Sequence, residues 1–428
     1  MFKKILIGII LFGVVAVLLL QIDDELNPEV ASFLEQAKPA ESSDAYLYLL
    51  GIVAAEGEDP LVVGKQLFAS MQQAEEQYNF SDESFEFEDY PKNKKLTLPE
   101  GELFCNHLLE SGSCWQTVFE NKPARDQALK TYVVLTQRYQ TFISMTDYHT
   151  LSKPLVVEFF PPLNYLFKAN RLIILDAVNR QDTSDKAQAI LKHNIVALRH
   201  HLEIADNPIS KIMFTAMISE NLDALSLLTH LGRYRLNTNI ALLSLDERDF
   251  SRAISREFMM HNDLYINLYK NPEIFAVVGQ EKSGNVPGWL VQTLYKANMS
   301  INESHDFFNE AIARSRLEQS EFAAMNLAKD SSTRSKIDYI RNPMGSILND
   351  VASPNFDSYI ASLFDLNAKI AIFNQTMNKV ELPSDLSYIQ NPYYEKGGTA
   401  FYSEDGKRIC LTGPLDDDKN QRCLRVKL

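Results

Sequence analysis

The chain has 428 residues with 42 basic and 56 acidic side chains, a formal net charge of −14. That length suits two or three domains or one large helical body, and so acidic a chain is a poor nucleic-acid binder, because phosphate contacts dominate such affinity. The acidity is local: residues 23–100 carry 18 acidic and 5 basic side chains, whereas residues 101–428 carry 38 and 35.

Lys3-Lys4 precede an unbroken apolar run of 16 residues, Ile5 to Leu20, followed by Gln21-Ile22 and the acidic Asp23-Asp24-Glu25. Counted to Ile22, the run is about 27 Å of helix at ~1.5 Å per residue, inside the range of single membrane spans. No small-residue pair marks a cleavage site at its end, and no cysteine marks a lipoprotein site. The expectation is a retained signal anchor over 1–22. Lys3 and Lys4 would hold the N-terminus in the cytoplasm, placing residues 23–428 in the periplasm beside a bacterial inner membrane.

Residues 23–100 read as an acidic membrane-proximal segment. Within it, Asp44 to Gly57 is apolar and aromatic and is expected to pack as a helix or hairpin. Asp59-Pro60 is a capping residue followed by a first-turn proline, opening an amphipathic helix over 62–78. Residues 81–100 mix acids (Asp82, Glu83, Glu86, Glu88 and Asp89 among them) with Pro91 and Pro99 and read as an exposed loop.

Two cysteine pairs follow. Cys105 and Cys114 are nine apart and bracket Glu110-Ser111-Gly112-Ser113; Cys410 and Cys423 are thirteen apart and bracket Gly413-Pro414 and Asp416-Asp417-Asp418. Four cysteines allow three connectivities, among which sequence does not choose; local pairing is the simplest. Disulfides agree with export. A zinc site lacks its ligand spacing.

Residues 101–380 read as a helical domain, because glycine is scarce from 123 onward and apolar residues recur at three- and four-residue spacing. The spacing predicts helices over 126–148 and 163–179. Further helices run from the polar break 182–185 to about Ala205, over 209–231 with Gly232 at the end, and over 244–269, closed by Asn271-Pro272. Val286-Pro287-Gly288 marks a boundary before a long helical stretch ending near Leu327, and the last helix covers 355–378. Short connections between such helices imply antiparallel packing, as a bundle or an irregular solenoid; no tetratricopeptide period is present. Residues 381–428 change character. Strands over 397–402, 407–411 and 422–426, with a turn at Glu404-Asp405-Gly406, make a small β element, which a Cys410–Cys423 bond would staple. The expected fold is mainly α, with this β tail, after one N-terminal transmembrane helix.

Two phrases carry a resemblance. Asn391-Pro392-Tyr393 followed by Gly398, Phe401 and Tyr402 resembles a C-terminal element of uncharacterised bacterial membrane-anchored periplasmic proteins. The segment Asn342-Pro343-Met344-Gly345 to Tyr359, with Asp365-Leu366 beyond, is similar to the stretch before that tail in the same proteins. The Pro-Phe that follows the glycine in that group is replaced here by Thr399-Ala400. The likeness covers about 90 residues. It implies location and architecture and no activity.

Chemistry leaves few traces. His193, His200 and His201 share one predicted helix; His193 and His200 are two turns apart, too far for one ion, and His201 with Glu203 is not in an H-E-x-x-H frame. All three read as partly exposed helix histidines. No nucleophile elbow or phosphate loop is present, and paired cysteines would leave no free thiol. Asp416-Asp417-Asp418 lacks the pattern of a calcium loop and reads as a solvated turn. The stretch Phe159-Phe160-Pro161-Pro162-Leu163 with Tyr165 and Phe167 is expected in the core, with an apolar groove as the other option. One acid stands out as a candidate catalytic residue: Glu257, flanked by Arg252, Arg256, Phe258, Met259 and Met260, which could hold a partly buried carboxylate of shifted pKa. A structural ion pair explains the same pattern more simply. No metal or cofactor is expected. The expected function is a non-enzymatic, membrane-anchored periplasmic protein that binds another envelope protein or assembly. The alternatives are a periplasmic hydrolase acting on peptidoglycan or peptides, and a carrier for apolar ligands.

Overall fold

A computed structural model describes residues 5, 7, 21–78, 80, 86–105, 113–180, 184–232, 239–272, 274, 288–325, 336–352, 354–379, 381–394, 398–417 and 419–428. Apart from the exposed Ile5 and Ile7, the expected anchor to Leu20 lies outside the described residues, among which no helix is long and apolar enough to cross a membrane. Helix makes up 64% of the structure and strand 3%, so the fold is mainly helical with one small sheet at the C-terminal end.

Helix α1 spans Pro28–Gln36, with proline at its start. α2, Asp44–Leu50, is capped by the Ser43 hydroxyl, which accepts from the Tyr46 N–H at 3.0 Å. Asp59 caps α3, Pro60–Gln77, by accepting from the Leu61 N–H at 2.8 Å. α2 and α3 pack tightly at two glycines. A Cβ on Gly64 would collide with the Leu47 carbonyl oxygen, and one on Gly51 with the Pro60 carbonyl oxygen. Backbone cannot yield as a flexible side-chain tip can, so Gly64→Ala is expected to cost about 1–3 kcal/mol. Urea unfolding checks this; an unchanged midpoint would show that the two helices separate freely.

The 52–58 turn is held from a distance. The Arg138 guanidinium donates to the carbonyls of Ile52 (2.9 Å), Ala54 (2.5 Å), Ala55 (2.8 Å) and Glu58 (3.1 Å). The loop expected over 81–100 is not simply exposed. Residues 81–85 lie outside the described residues, but Tyr90 and Pro99 are buried, and the Leu96 N–H donates to the Val53 carbonyl at 2.8 Å. Its apolar side chains cover the α2–α3 unit in spite of the surrounding charge.

Next come α4 (Ser113–Glu120), α5 (Lys122–Thr131), α6 (Val133–Ser144), α7 (Leu163–Asn179), α8 (Ser184–Ile204) and α9 (Pro208–Gly232). The helix expected over 126–148 is two helices: Tyr132 leaves helical geometry at φ −107° and ψ 27° and sets its ring edge-on to Phe104. A one-residue break leaves the apolar spacing on each side intact, so periodicity does not reveal it. The helix expected over 244–269 also divides, into α10 (Leu245–Arg248) and α11 (Ser251–Lys270). There the Asp249 carboxylate accepts from the Ser251 N–H at 2.8 Å, drawing the chain out of the helix. The long stretch expected after 288 is three helices, α12 (Gly288–Leu294), α13 (Ala297–Ser315) and α14 (Gln319–Ala324). Lys296 is extended between the first two, its N–H donating to the Asn342 side chain at 2.9 Å. A capping box of Glu318 and Glu321 starts the third. α15 (Lys336–Arg341), α16 (Pro343–Ala352) and α17 (Phe356–Thr376) complete the helices described.

α9 lies deepest; from Phe214 onward nearly every residue to Thr229 is buried. It packs against α7, α8 and α17. The tail forms β1 (Ala400–Tyr402), β2 (Arg408–Leu411) and β3 (Cys423–Arg425), antiparallel in that order, with Cys410 opposite Cys423. Gly406 turns the first hairpin at φ +65°. The sheet rests on α9 and α17, which supply the apolar face that three short strands lack. Cysteines pair locally, Cys105 with Cys114 and Cys410 with Cys423, at Cα separations of 6.0 and 4.0 Å. One apolar cluster runs from Val30 through the helices to Val426.

Candidate functional site

Glu257 lies beside a buried network in which Arg256 is shared with Glu158, and Glu158 in turn neighbours Glu75. α11 supplies Arg256 and Glu257, the connection before α7 supplies Ser152 and Glu158, and the end of α3 supplies Glu75. Arg256 is buried and forms a close ion pair with Glu158, while also donating to the Ser152 carbonyl at 2.7 Å and the Ser152 hydroxyl at 3.2 Å. The Ser152 hydroxyl donates to Glu158 at 2.7 Å and accepts from the buried Tyr46 hydroxyl at 3.2 Å. Glu75 accepts from the Lys153 N–H at 3.1 Å.

Burial first, and then the Glu158 charge, push the Glu257 carboxyl up to about 7 against the opposing Arg256. Burial also raises Glu75 and Glu158, the latter against the pull of Arg256. Arg256 is thus shared: its charge is committed to Glu158, and Glu257 is left to hold a proton near neutrality. The other neighbours expected to frame Glu257 are divided, Phe258 in the core and Arg252 exposed. A carboxyl of this kind can act as a general acid. The hydroxyl at hand, Ser152, gives its proton to Glu158 and has no histidine base in this cluster. The sequence singles out Glu257 but not Glu158, which only folding brings near it, nor Glu75 beyond Glu158. Glu158 did leave one signal: it is the single acid in an apolar stretch from Leu155 to Leu163.

A second polar cluster sits deeper. Tyr139 (α6), Asn170 and Arg171 (α7), Asn194 (α8), and Glu220 and Asn221 (α9) are all buried. Glu220 pairs closely with Arg171 and accepts from Asn170 at 2.7 Å. Asn170 accepts from Asn194 at 2.8 Å and Asn221 at 2.7 Å, and the Tyr139 hydroxyl donates to Asn194 at 2.9 Å. The far side of Arg171 stacks on Trp115 at 5.1 Å and reaches the Cys105–Cys114 sulfurs at 3.7 and 3.6 Å. Every named member has a partner, so the cluster ties four helices and the first disulfide together without offering a group to a ligand.

The third joins tail to body. Lys369 on α17, fully buried, pairs with Asp223 on α9 at 2.7 Å and donates to Ser219 at 2.8 Å; Asp223 also accepts the Arg425 N–H of β3 at 2.9 Å. Asp365, its pKa raised by burial, accepts from the Tyr393 hydroxyl at 2.6 Å and Arg422 at 3.2 Å. The Asn391-Pro392-Tyr393 phrase thus serves to dock the tail.

The histidines differ from expectation in one case. His193 is exposed and His200 half-buried, but His201 is wholly buried, stacked between Phe142 and Phe214 at 4.7 and 5.4 Å. Burial drives its pKa down to about 4; the neutral ring serves as an aromatic filler. Among the described residues no group of three or more potential ligands could hold a metal ion. Asp417 is not a solvated turn residue: it accepts from the N–H groups of Gln421 and Arg422 at 2.7 and 3.0 Å, while Asp418 lies outside the described residues. In the Phe159–Phe167 stretch, Phe159 meets Phe87 at 4.6 Å and Tyr165 is buried, but Phe160 is exposed.

Comparison with known proteins finds no match: no family model, no curated protein and no solved structure resembles the chain.

Proposed function

We propose that the chain is a non-enzymatic protein of the bacterial envelope, held at the inner membrane by residues 5–20, with its body in the periplasm, binding another envelope protein or assembly. On this reading the body is an antiparallel helical bundle or irregular solenoid that presents a surface rather than a reaction centre. The observation that carries the proposal is how the chain leaves the apolar run. Asp23 accepts from the N–H groups of Asn298 and Met299 at 3.0 and 3.1 Å, at the start of α13. Asp24 pairs with Arg341 at 2.6 Å, and Asn302 donates to the Glu25 carbonyl at 2.9 Å. An anchor joined this closely, with no flexible tether, fixes the orientation of the body, which suits a component of an assembly. The two disulfides agree with an oxidising compartment. Affinity purification of the tagged full chain after in-cell crosslinking tests the reading. A stoichiometric envelope partner is the expected result, and an uncrosslinked monomer would count against it.

A hydrolase acting through Glu257 is the second reading, favoured by its raised pKa beside Glu158. The two readings differ in what Glu257→Gln does. The folded pKa lies above the ordinary value of 4.5, so protonated Glu257 stabilises the fold at low pH, and that contribution is lost as pH rises through about 7. The amide keeps the neutral form at every pH. Glu257→Gln is therefore expected to raise stability by about 1–2 kcal/mol near pH 8, after allowance for solvent at a partly exposed site, and to change little near pH 4. Unfolding at the two pH values checks this. If Glu257 instead drives hydrolysis, the full chain will cleave peptidoglycan with a pH limb near 7 that vanishes in the variant.

A further inference from the structure

The exit from the apolar run lies beside an exposed apolar face. α15 and α16 follow one another across Asn342, and α16 turns Gly345, Ser346 and Asn349 inward, Asn349 donating to the Ser300 carbonyl of α13 at 3.2 Å. The outward side is mostly apolar, with Asp350 as an exposed acid: Ile337 is 64% exposed, Ile340 67%, Ile347 53% and Val351 81%. Ile347 and Val351 are one turn apart and share a face, as do Ile337 and Ile340. Tyr339 reaches across to Asp350 at 3.2 Å, holding the two helices side by side. Arg341, closing α15, donates to the Ile22 carbonyl at 3.1 Å, and Ile22 is itself 58% exposed. Only Gln21 separates Ile22 from the end of the apolar run, so covalent reach keeps that end within about 7 Å of Ile22.

We propose that α15 and α16 are a membrane-contacting element: Ile337, Ile340, Ile347 and Val351, with Ile22, lie against the lipid of the bilayer that holds residues 5–20. This rests on the anchored reading above. Three observations choose lipid over a protein occupant. The patch adjoins the point where the chain would leave the bilayer. Its make-up is that of an interfacial helix, with aliphatic side chains beside Tyr339 and Arg341. And residues 23–100, with 18 acids and 5 bases, would be repelled by an anionic leaflet, so contact has to come from an apolar element such as this one. The body would then sit in one orientation, with α15 and α16 down.

The test uses the full chain in vesicles of phosphatidylethanolamine and phosphatidylglycerol. An environment-sensitive fluorophore is placed at Val351→Cys, at Ile340→Cys, and, as a control on a distant helix, at Val196→Cys of α8, also 67% exposed. Labels at 351 and 340 are expected to shift to the blue and to be quenched several-fold more by brominated lipid than the label at 196. If the protein floats with the vesicles but the 351 label is quenched by aqueous iodide as fully as the 196 label, the membrane contact is wrong and the anchor stands. Shielding of 351 from both quenchers would assign the patch to a protein neighbour and overturn the lipid assignment. Failure to float would overturn the anchor and this inference together.

Discussion

Replacing Glu220 by alanine is expected to cost about 3–5 kcal/mol, the usual penalty for removing one partner of a buried ion pair. Arg171 is almost wholly buried, with its remaining contacts to the Leu103 and Cys105 carbonyls, the disulfide sulfurs and the Trp115 ring. None of these supplies a negative charge. Asn170 would lose its acceptor at the same time, and the Asn194–Asn221 pair that depends on Asn170 would be left partly unmatched. Replacing both charges, Arg171→Met with Glu220→Leu, is expected to recover most of the loss, because no lone charge is then stranded. Urea unfolding of the two variants checks the account. A loss under about 1 kcal/mol for Glu220→Ala would mean that water reaches the cluster and that the helices are not tied there.

The second large effect is expected at Asp223. Asp223→Ala strands the ammonium of Lys369, a fully buried group whose pKa burial already lowers, and removes the acceptor of the Arg425 N–H in β3. We expect a loss of about 3–5 kcal/mol, with faster proteolysis of the tail than of the helices, because β3 docks on α9 through this carboxylate. Lys369→Met added to Asp223→Ala is expected to restore the helical contact and leave the tail weakened. Equal protease resistance of the tail in all three chains would show that Cys410–Cys423 and the apolar contacts suffice to hold it.

Much of the fold is legible in the sequence where a local rule decides it. α7 starts and ends where the apolar spacing places it, between the prolines before Leu163 and the polar break after Asn179. The Asp59 cap, α9, α17 and the three tail strands also follow from local signals. The breaks at Tyr132, Asp249 and Lys296 do not, because each is made by a contact with a residue far away or by one side chain capturing a nearby N–H, and apolar spacing is blind to both. The same division holds for the candidate site. Glu257 is visible as an acid among apolar neighbours on one helix. The acid that acts on it comes from residue 158, and Arg171 finds Glu220 on another helix, 49 residues away. His201 shows the converse error: it stands beside Arg199, His200 and Glu203, yet the fold turns it between two phenylalanines.

Whether the body is carried outside the cytoplasm on an uncut anchor, as proposed above, can be read from the topology of the chain. The full chain is expressed in a bacterial cell, spheroplasts are treated with protease from outside, and the membrane fraction is analysed by mass spectrometry and by thiol alkylation. The account predicts a chain in the inner-membrane pellet that retains residues 1–22, a body cut only by external protease, and four cysteines closed to alkylation until reduction. A soluble chain beginning near Asp23, or a body protected inside the spheroplast with four reactive thiols, would contradict it.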